Sequence, residues 1–340
     1  MKNVNMKNWV SDVIASPKKK AMPILSFPAI QLMDISVKKL ISDSGLQAEA
    51  MNIIAKRTES MAAVSLMDLS VEAEAFGSTV LFSEDEVPTV TGSVVSNSNE
   101  IENLKVPEIG AGRTGLYIEA LEKSLELIED RPVLAGVIGP YSLAGRLMDI
   151  TEIMMCCYDE PETVHTLMNK TTEFIISYCK AYKAIGANGV VMAEPLTGML
   201  SPAMAEEFSA PYVKKITEAV QDEDFIVIYH NCGNNTVHMV ESIISSGAAG
   251  YHFGNAINMK DILPLMPKDV LIMGNVDPVS QIKDGTESTI KECVFAIMKE
   301  CTDYPNFVIS SGCDIPPMAK WENIDAFFKA TEEFYACTEK

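Results

Sequence analysis

Three side chains in this sequence have the types and spacing for metal chemistry. His230 and Cys232 lie two apart in the stretch 228–235, and Cys313 sits in Ser310-Ser-Gly-Cys-Asp-Ile-Pro-Pro317. One imidazole and two thiolates are a donor set that Zn²⁺ accepts with one tetrahedral position left open for a substrate. Two thiolates and a neutral imidazole would leave such a site uncharged. A thiol entering the open position would lose its proton yet keep an electron-rich sulfur. A hydrolase that activates water more often uses His and carboxylate ligands, so sulfur-rich ligation points to thiol alkylation. Spacing alone leaves a second reading open, because His-x-Cys also describes a hydrogen-bonded structural histidine beside a buried thiol. The elements that carry the three residues must bring them together.

Short apolar, β-branched runs recur at 22–27, 62–67, 133–138, 189–193, 225–229, 250–253, 270–273 and 307–309. Most are continuous rather than alternating, as in parallel strands covered on both faces. Helical patterns lie between them, at 119–127, 161–184, 202–220, 237–245 and 287–299. Pro161 and Pro202 suit first helical turns, with Asp159 and Ser201 as nearby caps. Eight strands alternating with helices predict an α/β fold, a (β/α)₈ TIM barrel. Two β-rich pieces, 79–82 and 89–95, flank the acidic turn 83–86. They predict a β-hairpin insertion after the second strand. With no internal repeat, residues 1–340 read as one domain.

In a barrel, His230 and Cys232 follow the fifth strand and Cys313 the eighth. Glu194 ends the fourth, His252 the sixth, and Asn275 and Asp277 follow the seventh. All then share the C-terminal rim, where barrels keep their active sites. Gly233 and Gly312, beside the two cysteines, fit tight turns near a ligand. Arg146 and Asp149 could meet a substrate anion, or pair with each other.

Composition narrows the partners. The chain has 27 basic and 47 acidic residues, a formal net charge of −20, and 47% hydrophobic residues. So acidic a surface argues against nucleic acid and anionic membranes. No apolar run reaches the ~18–20 residues of a membrane span. The N-terminus lacks the order of a signal peptide, and the eight cysteines show no disulfide spacing, so a reduced, cytoplasmic protein is expected.

The chain resembles the uroporphyrinogen-decarboxylase superfamily, and within it the zinc-dependent corrinoid methyltransferases. The likeness is carried by Asp68-Leu-Ser-Val-Glu-Ala-Glu-Ala-Phe-Gly77, Gly139-Pro-Tyr-Ser-Leu-Ala144, Ala193-Glu-Pro195, His230-Asn-Cys-Gly-Asn234, Gly274-Asn-Val-Asp-Pro278 and Gly312-Cys-Asp-Ile-Pro316. The resemblance implies a (β/α)₈ barrel with His230, Cys232 and Cys313 as zinc ligands. It also implies a reaction, in which a methyl group passes from a methylcorrinoid to a thiol such as coenzyme M, or towards tetrahydrofolate. The chain has no Asp-x-His-x-x-Gly segment of the corrinoid-holding kind, so the methylcobalamin-type donor is expected on a separate corrinoid protein. Glu194 and Asp277 are candidates for catalysis; Asn234, Asn275 and His252 are candidates for substrate binding. Where some relatives have a Glu after the sixth strand, this chain reads Tyr251-His-Phe-Gly-Asn255. Decarboxylase members carry an Arg-rich N-terminal segment, whereas 26–34 here has no Arg. The alternatives are a uroporphyrinogen decarboxylase-type lyase and a non-enzymatic corrinoid-binding partner.

Overall fold

The structure is a computed structural model and describes residues 4–338. Seven strands form one parallel sheet: β1 (Ala63–Val64), β4 (Val133–Ile138), β5 (Gly189–Ala193), β6 (Ile226–Asn231), β7 (Gly250–Phe253), β8 (Leu271–Val276) and β9 (Phe307–Ser311), in that order. The antiparallel pair β2 (Thr79–Leu81) and β3 (Thr89–Thr91) is the expected hairpin insertion after β1.

Residues 22–27 take the eighth place without forming a regular strand. Met22 N–H donates to the Ile309 carbonyl at 3.0 Å, and Met61 N–H donates to the Ala21 carbonyl at 2.8 Å, which joins β9 to the approach of β1. Pro23 supplies no N–H to a ladder. Ile24 N–H goes instead to the Ser311 hydroxyl at 3.1 Å, and the Ser310 hydroxyl donates to the Met22 carbonyl at 2.7 Å. The barrel therefore closes partly through side chains.

Period-two alternation divides the core. Val64, Leu134, Val191, Ile226, Ile228, Leu271, Met273 and Val308 fill the interior together with Met6 and Val10 of the N-terminal helix. That helix, Met6–Ala15, packs at the N-terminal end, where Met6 N–H meets the Glu223 carbonyl at 2.6 Å. The alternate positions, among them Val137, Met192, Val227, Tyr229 and Ile309, face the helices. Each fully buried aliphatic side chain is worth about 1.5–3 kcal/mol, so both layers hold the strand ends in place.

The helices at 161–184 and 287–300 match expectation closely. The helix expected over 202–220 is two, Pro202–Phe208 and Ala210–Val220, broken at Ser209. Pro211 offers no N–H to the Glu207 carbonyl, and its ring crowds that turn. Ser201 caps the first of them by accepting from Met204 N–H. Asp159 does not cap the helix Pro161–Ala184: it ends the preceding helix, and the N-cap is Glu160, whose side chain makes no cap bond. Among the described residues no helix is long and apolar enough to cross a membrane.

Candidate metal centre

The inward row of β6 runs Ile226, Ile228, His230, so the imidazole enters the barrel just above an apolar floor. Cys232 follows immediately in the β6 exit turn, and Cys313 lies two residues beyond β9. Their ligand atoms all lie within 4.8 Å of one another, with His230 Nε2 and Cys313 Sγ 3.7 Å apart. Tetrahedral zinc with Zn–S of about 2.3 Å and Zn–N of about 2.0–2.1 Å sets sulfur and nitrogen roughly 3.6 Å apart. The donor set fits the ion in type and separation. Among the described residues, no other group of three or more His, Cys, Asp or Glu is gathered for a metal.

The two thiols are shifted in opposite directions. The hydrogen bond between them brings Cys232 down to about 7, while the same bond, with burial, pushes Cys313 above the ordinary thiol range. Loading a metal therefore has to displace the Cys313 proton, and below about 7 the Cys232 proton as well.

Glycines give the ligands their room. A Cβ on Gly254 would lie 2.4 Å from Cys232 Cβ, one on Gly233 2.2 Å from Gly198 Cα, and one on Gly312 2.6 Å from Asn255 N. Neither Gly233 nor Gly312 has the positive φ of a left-handed turn. Close approach of neighbouring backbone is what each requires, a different constraint from the tight turn expected.

A second layer stands behind the trio, and of its residues only His252 was singled out from the sequence. His230 Nδ1 lies 2.7 Å from His252 Nδ1, and His252 Nε2 lies 2.7 Å from Ser310 Oγ. Both rings are 2% exposed. Burial and the neighbouring imidazole hold His252 well below the usual histidine range. Asn231 lies between His230 and Cys232 and faces outward; its Oδ1 accepts Gly233 N–H and the Thr236 hydroxyl, both at 2.9 Å, fixing the Cys232 turn. The available signal was polarity: Asn231, Ser310 and Ser311 end apolar strands, and buried polar groups need partners.

The other expected site residues spend their polar atoms on their own chain. Glu194 is fully buried. Its Oε1 accepts Tyr141 N–H at 2.9 Å and Ser142 N–H at 3.3 Å, capping the helix Pro140–Met148, and its Oε2 accepts the Thr197 hydroxyl at 2.7 Å. Burial pushes its carboxyl up to about 7. Asn275 Nδ2 donates to the Gly254 and Ile257 carbonyls, at 2.9 and 2.5 Å, and so ties down the loop after β7. Asp277 caps the turn Pro278–Lys283 by accepting from Val279 and Ser280 N–H. Asn234 is exposed. Arg146 and Asp149 are not an ion pair: Asp149 caps the helix Ile150–Asp159, and Arg146 lies largely buried near Glu72 and Asp68.

Asp68, in the first of the quoted motifs, is also held by its own chain. It pairs with Arg113 Nη1 at 2.5 Å and accepts from the Tyr117 hydroxyl at 2.7 Å and the Ser70 hydroxyl at 2.5 Å. Arg113 also reaches Glu74, at 2.6 Å. One atom is left over next to the trio: Asp314 Oδ1 is buried and has no hydrogen-bond partner.

A parallel α/β barrel with a thiol–imidazole cluster at its C-terminal mouth is the class that fold and site define. The chain belongs to the uroporphyrinogen decarboxylase (URO-D) family, whose profile matches residues 10–334. It is 27% identical over 271 residues, 78% of each chain, to the methylcobamide:CoM methyltransferase MtbA of Methanosarcina acetivorans. It is 25% identical over 280 residues, 80% of each chain, to the uroporphyrinogen decarboxylase of Flavobacterium johnsoniae. A methyltransferase structure from Methanosarcina mazei superposes with a TM-score of 0.85 at 20% identity, covering 98% of this chain and 100% of that one, and shares the fold.

Proposed function

We propose that the protein is a zinc-dependent methyltransferase that moves a methyl group from a methylated corrinoid protein to a thiol such as coenzyme M, or to tetrahydrofolate. The observation that carries this reading is the convergence of His230, Cys232 and Cys313 within 4.8 Å at the barrel mouth. The similarity to methylcobamide:CoM methyltransferases supports it. The chain acts as one barrel domain in the cytoplasm, with no role for nucleic acid or membrane.

His230 Nε2 and the sulfurs of Cys232 and Cys313 hold the metal. Zinc so held supplies a Lewis acid that makes a thiol a nucleophile near neutral pH. In the transfer, the carbon–cobalt bond of the donor breaks with its electron pair left on cobalt. The carbon–sulfur bond of the acceptor forms, and the thiol proton is released. Glu194 holds the helix Pro140–Met148 against the mouth, and Asp277 and Asn275 shape the β8 and β7 loops. Asn234 stands exposed beside the Cys232 turn, where a bound substrate or donor would pass.

The donor protein docks on the mouth. Met155, Tyr158, Met199 and Met318 are exposed there, Tyr158 by 74%, in segments that leave the C-terminal ends of β4, β5 and β9.

The test offers the full chain free methylcobalamin or a methylated corrinoid protein, with coenzyme M, other thiols or tetrahydrofolate as acceptor. Methyl transfer to one of them is expected. Tyr158→Asp should slow the protein-bound donor by about tenfold or more and the free donor by less than about twofold. Porphyrinogen turnover without methyl transfer would replace this reading with a decarboxylase. Metal binding with no transfer to any acceptor would leave a non-enzymatic partner.

A further inference from the structure

We propose that His252 is a positioning residue, the middle of a one-way hydrogen-bond relay that fixes the tautomer of His230 and aims its Nε2 at the metal. The inference rests on the ligand reading above and adds the device that orients one ligand.

The direction of the relay follows from its fixed end. The Met22 carbonyl can only accept, so the Ser310 hydroxyl, 2.7 Å away, spends its proton there. Ser310 Oγ is then left to accept from His252 Nε2–H, also at 2.7 Å. A neutral His252 ring with its proton on Nε2 carries a lone pair on Nδ1. His230 Nδ1 stands 2.7 Å from that lone pair and must donate to it. His230 Nε2 is thereby left with its own lone pair, pointing to Cys313 Sγ at 3.7 Å. Every proton in the chain has one place to go.

The fold imposes the alignment. In the barrel register His230 is paired with His252, and the inward row of β9 places Ser310 beyond Val308. Ser310 reaches Met22 because the closing segment, which contains Pro23, pairs with β9 partly through side chains. A ligating histidine commonly hands its second N–H to a carboxylate, carbonyl or water, and loss of that partner costs about 10–100-fold in metal affinity. Here a second imidazole fills that role, and with both its nitrogens engaged His252 keeps neither for a substrate.

The test measures zinc affinity of the full chain by competition with a chromophoric chelator, alongside the ¹⁵N shifts of the imidazole nitrogens. Only four histidines need assignment. His252→Phe, which removes both polar ends, should bind zinc about 10–100-fold more weakly. His252→Gln, whose amide can accept from His230 and donate to Ser310, should stay within about threefold of wild type. In the wild-type, metal-free chain the His230 proton should sit on Nδ1. A folded His252→Phe with wild-type affinity would overturn the relay, and so would a His230 proton found on Nε2. The ¹⁵N result stands even where the Phe variant fails to fold. A wild-type chain that takes up no zinc overturns the ligand reading itself, a distinct outcome.

Discussion

Gly254 is where the centre has no slack, since a Cβ there would meet the Cys232 Cβ at 2.4 Å and its Cα at 2.6 Å. Gly254 N–H also bonds the Asn231 carbonyl at 3.0 Å, so the backbone has no easy retreat. Gly254→Ala should displace Cys232 and weaken zinc binding by about tenfold or more, in keeping with the sensitivity of ligand geometry. Chelator competition on the folded variant checks this, and unchanged affinity would mean the loop yields freely. At this scale the trio was legible in the sequence by residue type and by its place after the fifth and eighth strands, and the structure brings its ligand atoms within 4.8 Å. Their supports were not: Ser310, Asn231 and the His230–His252 contact are hydrogen bonds set by register, which no single residue type announces. Gly233 and Gly312 were rightly singled out beside the cysteines, yet what they serve is close backbone approach.

The strand ends place the trio, and a short helix after β1 carries a buried acid. Glu72, in the helix Val71–Ala75, accepts Ile138 N–H at 2.9 Å, and burial raises its carboxyl from 4.5 to about 7. The folded value lies above the unfolded one, so the unfolded chain releases this proton first. The stability tied to the protonated form is full below 4.5 and is lost as pH rises through 7. Its size is about 3 kcal/mol at most, from about 1.4 kcal/mol per pH unit. Glu72→Gln keeps an acceptor for Ile138 and cannot ionise. Its thermal midpoint should therefore gain on wild type at pH 8 relative to pH 5; an equal difference at both would contradict the buried-acid assignment. The parallel strands were legible because continuous apolar runs say that both faces are covered. The closing segment was not, for Pro23 lies inside a run otherwise rich in apolar residues and moves its pairing onto side chains. Pro211 was equally visible within an amphipathic pattern, and the backbone obeyed the proline.

The barrel as a whole does not separate the readings, because methyltransferase and decarboxylase relatives match this chain at 27% and 25% identity and belong to one family. Fold supplies a rim; chemistry is decided by what stands on it. Here the rim holds a soft imidazole–thiol donor set beside a hydrogen-bonded second layer, within a molecule whose net charge is −20. Such a charge disfavours a polycarboxylate substrate, and the imidazole–thiol trio is the feature that distinguishes the mouth. The most direct measurement is the zinc content of the purified full chain under zinc-replete conditions, wild type beside Cys313→Ala. About one zinc per chain in the wild type, lost in a variant that folds normally, is the predicted result. A wild-type protein that folds normally and carries no zinc would contradict it.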